Sequence, residues 1–511
     1  MKKKCTNAFL EIEFASYKLE HQSTEKQFSA TSVWRLHEEN LMAIKIINYN
    51  ELFSDKAYAD FFKPRKLGSS VHAQVEDFIR RIKDGGDKAL HQIIAELYEK
   101  GFEKSNPENF EIDKNDIKKA ADKMKSENPE LYNAIEHSYS LALNFAKKQR
   151  ECFTDFEVEL EEGLFTGQKT IPVERAGLYV PAGRFPLLSS LVMCVAPSKA
   201  APCKEIILCT PAAPHPTNGT KPYADEGILA AASICGIDRV FALGGAQAIA
   251  AMAYGTESVP KVDVIAGPGN KFVTEAKRTV FGDVGIDIVA GPTEAFIIAD
   301  ESANPAWVAA DMLAQAEHDV DAQSVLVTFT QDFARRVQEE IEKQLSTLPT
   351  EKTARASIEN NGLIIVVDES DNAALEQATS IEQAKGLEQA ASVANNKAPE
   401  HLEIAMDAGE KRETLMKLCH NYGTLFIGHD AAEVLGDYAA GLNHILPTSG
   451  AARFTGGLSV RMFLKTVTTL RSERDNDGRL KNGVAHSIKT ASTLGHTEGL
   501  IAHARAAEIR Q

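Results

Sequence analysis

The sequence predicts a mixed α/β protein in which mostly parallel sheets are covered by helices on both faces. After residue 175 the chain alternates between short β-branched runs and helical segments. Glycine turns follow two of these runs and open the next helix, an order typical of parallel sheets with helical crossovers. From about residue 72 to 150 the chain is charged and helical in pattern, so helices are expected to precede the sheets.

The predicted elements follow one another along the chain. Residues 72–150 carry apolar side chains at three-to-four spacing, which predicts a helical lead-in. Strands are predicted at 205–209, 238–243, 262–266, 286–290, 295–299, 324–328, 363–367, 401–404 and 423–427. Four prolines between 211 and 225 predict an exposed loop, and the last fifty residues are predicted to be helical.

We divide the chain into four parts. Residues 1–45 are polar and patternless and are predicted to form a disordered extension, with Met42 as an alternative start. Residues 46–178 plus 397–457 are assigned to a first α/β domain, which includes the helical lead-in. Residues 179–396 are assigned to a second α/β domain that holds the glycine turns, and residues 458–511 to a small helical carboxy-terminal tail domain.

Composition excludes several classes of protein. An apolar content of 43% over 511 residues excludes disorder of the whole chain. The net charge of −16, with no long basic stripe, argues against binding to nucleic acid. The seven cysteines form no CxxC pair, and no signal peptide or membrane-spanning run is found. We therefore expect a soluble cytoplasmic protein.

Gln315 and His318 lie at the end of a predicted helix that begins at Asn304 and Pro305. Three residues apart, they project from one side of the helix and could hold one metal ion or one polar substrate. A solvated helix end, with the imidazole near the negative end of the dipole, is the alternative interpretation of these two residues alone.

Two glycine turns are candidate anion sites. The sequences Gly-Gly-Ala-Gln at 244–247 and Gly-Pro-Gly-Asn at 267–270 each follow a predicted strand and open a helix. Glycine lets backbone amides approach a phosphate or a dinucleotide at a helix amino terminus. Neither turn is a GxGxxG fingerprint, and any α/β sheet needs tight turns, so a purely structural role is the alternative.

Glu400 and His401 follow Pro399 and enter a predicted strand. An acid beside a histidine could supply one base for a hydroxyl and a second base for water if both side chains reach one cavity. Strand alternation would send them to opposite faces unless the backbone turns at Pro399. A surface pair is the alternative.

A polar stretch at 436–444, Gly-Asp-Tyr-Ala-Ala-Gly-Leu-Asn-His, is bounded by apolar residues on both sides. Polar groups in such a setting belong either to a hydrogen-bonded core or to a site. Its carboxylate and imidazole would suit zinc.

Eight motifs in one order resemble the histidinol dehydrogenase family from about residue 46 to the end of the chain. They are GLYVPAG at 177–183, GGAQAIAA at 244–251, GPGN at 267–270, AGPTE at 290–294, QAEH at 315–318, APEHL at 398–402, GDYA at 436–439 and EGLIAH at 498–503. Eight motifs in order are far more specific than any one of them.

The resemblance implies two Rossmann-like parallel-sheet domains and a zinc-dependent, NAD-linked four-electron dehydrogenase. Such an enzyme oxidises L-histidinol through histidinal to L-histidine, the last step of histidine biosynthesis. The resemblance implies one Zn²⁺ per subunit, with Gln315, His318, Asp437 and His503 as ligands. It also implies that Glu400 activates water for the aldehyde step and that His401 takes the alcohol proton.

Other positions of this sequence match binding positions of the family. Tyr179, Gln247 and Asn270 match the NAD contacts. The substrate contacts implied by the resemblance are Thr293, Gln315, His318, His401, Asp437, Glu498 and His503. Family members are homodimers whose tail completes the partner's site, so Glu498 and His503 are expected to act across the interface.

Two alternatives remain open. Residues 446–461 and 466–471 look closer to the branch that includes sulfopropanediol dehydrogenase, which would oxidise another small polar alcohol. Arg184 could then bind an anionic substrate group, although a solvated loop arginine explains it equally well. An inactive paralogue that acts as a binding module is the alternative from another class; the presence of Glu400, His401 and all four candidate ligands argues against it.

Overall fold

The computed structural model describes residues 44–64, 71–182, 186–367 and 385–511. The expected extension, 1–45, lies outside the described residues except for its last two, and Lys45 already begins the first strand. Met42 and Arg184 also lie outside the described residues.

The elements of the described residues follow the predicted alternation. The strands are β1 Lys45–Asn48, β2 Phe156–Glu161, β3 Leu164–Pro172, β4 Arg175–Tyr179, β5 Glu205–Thr210, β6 Arg239–Ala242, β7 Val264–Ala266, β8 Gly285–Ile286, β9 Glu294–Ala299, β10 Gln323–Thr328, β11 Leu363–Val366, β12 His401–Ala405, β13 Thr424–Ile427 and β14 Leu464–Ser472. The helices are α1 Tyr49–Ser54, α2 His72–Glu99, α3 Lys114–Glu127, α4 Pro129–Glu151, α5 Leu188–Ala200, α6 Glu226–Ile234, α7 Gly245–Tyr254, α8 Lys271–Val280, α9 Pro305–Ala316, α10 Gln331–Leu345, α11 Glu351–Asn361, α12 Lys385–Lys397, α13 Glu410–Leu418, α14 Glu433–Tyr438, α15 Asn482–Thr497 and α16 Ile501–Glu508.

The strands form two parallel sheets, which confirms the predicted fold class. The six-stranded sheet has the order β1-β11-β10-β9-β12-β13, and the five-stranded sheet has the order β6-β5-β4-β7-β8. Apolar side chains of each sheet are buried on both faces against helices. The short β-branched runs of the sequence are therefore strands without a solvent-facing side.

Strand pairing differs from the expected division of the chain. We assigned residues 179–396 to one α/β unit, but β9, β10 and β11 of that segment pair in the same sheet as β1, β12 and β13. The five-stranded sheet is made only from residues 175–286. A parallel sheet is assembled by strand pairing, which can join segments that are far apart in sequence. The alternation of strands and helices along the sequence therefore could not locate the boundary between the two sheets.

A third, antiparallel sheet was missed in the sequence. Its order is β14-β3-β2, and β14 lies in the tail that we expected to be entirely helical. Every residue of β2 is exposed, so the strand lacks a continuous apolar run, although its strict alternation of apolar and polar residues is a strand pattern. The tail therefore consists of one strand followed by the two helices α15 and α16, which pack on each other.

Helix α9 begins as the sequence predicted. Asn304 caps it, accepting a hydrogen bond from the backbone N–H of Ala306 at 2.9 Å, and Pro305 occupies the first turn. Its other end delivers Gln315 and His318 to the same edge of the six-stranded sheet at which β9 and β12 begin. Within the described residues, no helix has the length and apolar composition needed to cross a lipid bilayer.

We predict that Gly423→Ala destabilises the protein. A Cβ at this position would lie 2.5 Å from the backbone oxygen of Glu400, so the start of β12 would have to shift. Overpacking of this kind costs about 1–3 kcal/mol, and the thermal unfolding midpoint should fall. Gly456→Ala is the matched control, because nothing lies within 4 Å of its added Cβ. Equal midpoints for the two variants would show that the approach to Glu400 is not tight.

Candidate active site

The candidate site lies where edges of the two parallel sheets meet. Tyr179 ends β4, and the glycine turns follow β6 and β7, so these residues share the carboxyl edge of the five-stranded sheet. Glu400 and His401 stand at the amino end of β12, beside the start of β9. His444 Nε2 lies 3.3 Å from Ser190 Oγ on α5, which connects the two edges.

One residue, Glu294, holds both candidate catalytic side chains through its backbone. Its N–H donates to Glu400 Oε2 at 2.9 Å, and its carbonyl oxygen lies 3.1 Å from His401 Nδ1. Thr293 Oγ1 donates a second hydrogen bond, of 2.6 Å, to the same oxygen of Glu400. A carbonyl can only accept, so Nδ1 of His401 carries the proton and Nε2 keeps its lone pair. That Nε2 is buried and has no hydrogen-bond partner within the described part of the chain.

The backbone turns just before His401. Such a turn was the condition under which the side chains of Glu400 and His401 could reach one cavity. Ala398 adopts the left-handed conformation with φ of 51°, and Pro399 follows it. Glu400 therefore stands before the strand rather than on its opposite face, and both side chains contact Glu294. Since Glu400 is 6% exposed and His401 4% exposed, the interpretation as a surface pair is wrong.

Burial sets the proton affinities of this pair. Burial raises the pKa of Glu400 well above its ordinary value, although the hydrogen bonds from Thr293 and Glu294 oppose the shift. Burial is the main cause that lowers the pKa of His401 to about 3; the neighbouring His444 and His318 add to the shift, and the hydrogen bond to Glu294 opposes it. At neutral pH the imidazole is therefore uncharged, and its Nε2 carries no proton.

Three of the four candidate zinc ligands surround His401. The buried amide of Gln315 lies between Thr293 Oγ1 and Glu433 Oε1, the latter at 2.5 Å. Asp437 Oδ1 lies 3.9 Å from His401 Nε2. His318 is exposed just beyond the end of α9, yet desolvation by the surrounding protein lowers the pKa of its ring, and its charge acts on His401. The interpretation of this helix end as merely solvated is thus wrong for Gln315.

The fourth candidate ligand is not part of this cluster. His503 lies exposed on α16, and Glu498 directly follows α15; within the described ranges neither side chain hydrogen-bonds or ion-pairs with the cluster. No group of three His, Cys, Asp or Glu side chains in the described residues is arranged to hold a metal ion. The amide, imidazole and carboxylate of one chain suit zinc chemically, but a closed site of four ligands needs one more donor.

The three candidate NAD residues share the carboxyl edge of the five-stranded sheet. The hydroxyl of Tyr179 accepts from the N–H of Gly245 at 3.1 Å, and Gln247 Nε2 donates to Glu103 Oε1 at 2.8 Å. Asn270 is exposed and caps α8, accepting from the N–H of Phe272 at 3.0 Å. These residues line two adjacent turns, and Tyr179 and Gln247 form their buried wall.

Sequence reasoning missed several buried acids at the site. Glu433 is 3.5 Å from His401 Nδ1, and burial raises its pKa strongly, with the charges of nearby carboxylates as further causes. It stands four residues before Asp437 on α14, so helical spacing could have indicated it. Burial also raises the pKa of Glu103 to about 7. No signal in the sequence marked Glu103, because it lies in a loop between α2 and α3.

Comparison with known proteins identifies relatives of this chain. The family model described as histidinol dehydrogenase matches residues 63–375 and 369–511. Histidinol dehydrogenase of Streptococcus mutans is 39% identical over 466 residues, which covers 91% of this chain and 99% of that protein. The Bacillus cereus enzyme is 40% identical over 87% of this chain and 93% of its own length.

A solved structure agrees with these sequence relatives. The crystal structure of histidinol dehydrogenase from Elizabethkingia anophelis superposes with a TM-score of 0.77 at 30% identity, covering 92% of this chain and 98% of that one. The matches span both parallel sheets, the cluster around His401 and the tail. This chain is therefore an oxidoreductase that belongs to the histidinol dehydrogenase family.

Proposed function

We propose that this protein is a cytoplasmic, zinc-dependent enzyme that oxidises L-histidinol through histidinal to L-histidine, reducing two NAD⁺. The observation that carries the proposal is the geometry at Glu294, whose backbone holds a carboxylate and a neutral imidazole side by side. The reaction needs one base for an alcohol proton and one for water, and these two groups supply both.

His401 acts in the first oxidation. Its Nε2 has a lone pair and no competing partner in the described residues, so it can accept the hydroxyl proton as the adjacent carbon loses hydride. The carbonyl of Glu294 holds the opposite nitrogen, Nδ1, and stabilises the imidazolium that forms. Bound NAD⁺ would take the hydride, and bound Zn²⁺ would orient the substrate's nitrogen and oxygen atoms.

Glu400 acts in the second oxidation. Water must add to the aldehyde to form a hydrate before the second hydride leaves, and Glu400 accepts the proton of that water. Its raised pKa makes the carboxylate a stronger base than a solvated one. Thr293 and the N–H of Glu294 fix the oxygen Oε2, which leaves the other carboxylate oxygen available for water.

The binding groups are proposed from the resemblance to the family. Tyr179, Gln247 and Asn270 would hold NAD⁺ at the turns of the five-stranded sheet. Gln315, His318 and Asp437 would hold zinc from one chain, and the partner's His503 would complete the ligand set in a homodimer. Thr293 and the partner's Glu498 would contact the substrate. This sharing explains why a single chain places only part of the expected ligand set together.

We expect the purified, zinc-loaded protein to form two NADH for each L-histidinol consumed. Absorbance at the NADH band measures this stoichiometry, and sulfopropanediol in place of histidinol tests the alternative substrate. Removal of zinc with a chelator should abolish turnover, and added Zn²⁺ should restore it. Turnover of the sulfonated diol alone would overturn the substrate assignment, and turnover of neither substrate would favour a binding module.

Glu400→Gln should impair the second oxidation far more than the first. Because the amide cannot accept the water proton, histidinal oxidation should slow by about 100-fold or more, whereas histidinol oxidation to histidinal should change less. Single-turnover NADH formation from each substrate separates the steps. Glu301→Gln, an exposed loop substitution, is the control. Equal losses in both steps would mean that Glu400 is not the base for water.

Shared sites predict complementation between two inactive variants. A heterodimer of Glu400→Gln and His503→Ala chains would contain one site with a functional Glu400 and a functional tail donor from the other chain. Two affinity tags allow its isolation, and about half of the wild-type activity is expected because one of two sites is intact. A heterodimer as inactive as the parent variants would place His503 in its own chain's site.

A further inference from the structure

Two buried ion pairs stand apart from the many exposed ones. Among the described residues, Lys397 with Glu294 and Lys277 with Asp287 are the lysine–carboxylate pairs in which both side chains are at most 4% exposed. Burying two charges is costly, and a buried pair often contributes little to stability compared with apolar side chains. A contribution to stability is therefore a weak explanation for their presence.

Glu294 makes three contacts with the catalytic turn, residues 397–401, and its ion pair with Lys397 is one of them. Lys397 Nζ lies 3.1 Å from Glu294 Oε1, and the backbone N–H and C=O of the same Glu294 hold Glu400 and His401. Lys397 is the last residue of α12, three residues before Glu400. All three contacts of Glu294 therefore reach the segment 397–401.

This segment needs external restraint. Between Lys397 and Glu400 the chain passes through Ala398 in the left-handed conformation, which an alanine adopts only when its surroundings enforce it. Lys397 also lies against Phe61, with Nζ 5.5 Å from the ring centre. The ion pair anchors the strained turn to β9 immediately before the two catalytic side chains.

The pair Lys277–Asp287 holds the cofactor turn, residues 267–270, in place. Asp287 Oδ2 accepts from the N–H of Gly267 at 2.7 Å, and Lys277 Nζ donates to the carbonyl oxygen of Gly267 at 2.9 Å. Gly267 has φ of 130°, and a Cβ there would lie 2.0 Å from the backbone oxygen of Tyr179. The pair thus holds both backbone groups of the residue that brings this turn against Tyr179.

We propose that the two buried ion pairs are positioning devices with separate tasks: Lys397–Glu294 aligns Glu400 and His401, and Lys277–Asp287 shapes the cofactor turn. The inference rests on the proposed function. Neither pair touches the reacting atoms. Each acts through backbone groups of one residue, and the two pairs belong to different sheets, so their losses should affect different kinetic constants.

The test compares Lys397→Met with Lys277→Met, which are matched in residue type, burial and substitution. Lys397→Met should lower kcat for histidinol by about 10-fold to 100-fold with little change in KM for NAD⁺, because small misplacement of a base costs rate. Lys277→Met should raise KM for NAD⁺ by about tenfold with a smaller effect on kcat. Fluorescence titration of NADH gives cofactor affinity without turnover.

A double variant separates positioning from stability. Lys397→Met/Glu294→Met removes both charges and leaves an apolar pair, so the protein should fold even if the single variant does not. It should still show the loss of kcat, because the anchor of the turn is gone. A double variant with wild-type kcat would overturn the assignment, since the pair would then serve stability alone.

The NADH titration also separates failure of this inference from failure of the proposed function. A wild-type protein that binds NADH but oxidises no histidinol would contradict the function, while weaker NADH binding in Lys277→Met, but not in Lys397→Met, would still support separate tasks. Equal NADH affinities in the two variants, or equal losses of kcat, would overturn the inference.

Discussion

The structure of the site depends on the parallel pairing of β9 with β12. This pairing sets Glu294 against the turn that leads into β12, and the backbone of Glu294 then holds Glu400 on one side and His401 on the other. Backbone groups of a central strand cannot rotate away, so the two side chains are held more rigidly than side-chain contacts alone would achieve. The side chain of the same residue meets Lys397.

Exclusion of water sets the proton affinities of the side chains in this arrangement. Burial disfavours the charged form of both groups. It lowers the pKa of His401, which stays neutral, and raises the pKa of Glu400, which becomes a stronger base. Several other acids, among them Glu433 and Asp437, crowd the same pocket with raised pKa values. Such a concentration of carboxyl groups is costly in a single chain and would be offset by a bound cation.

The two parallel sheets contribute different parts of the candidate site. The carboxyl edge of the five-stranded sheet provides the turns at Gly245 and Gly267, which is the usual ligand edge of an open parallel sheet. The six-stranded sheet instead presents the amino ends of β9 and β12. Opposite edges can serve one site because the chain runs directly from β8 into β9 and His444 contacts Ser190 between them.

The sequence by itself determined the fold class, the cap of α9, most strands between 205 and 427 and the motifs that carry the family resemblance, because these depend on local spacing and turn chemistry. Tertiary structure alone decided which strands share a sheet, that β2, β3 and β14 pair, and that Glu103 lies beside Gln247. It also decided that Glu400 and His401 are buried partners. Pairing and burial arise from contacts between distant segments, which no local pattern encodes.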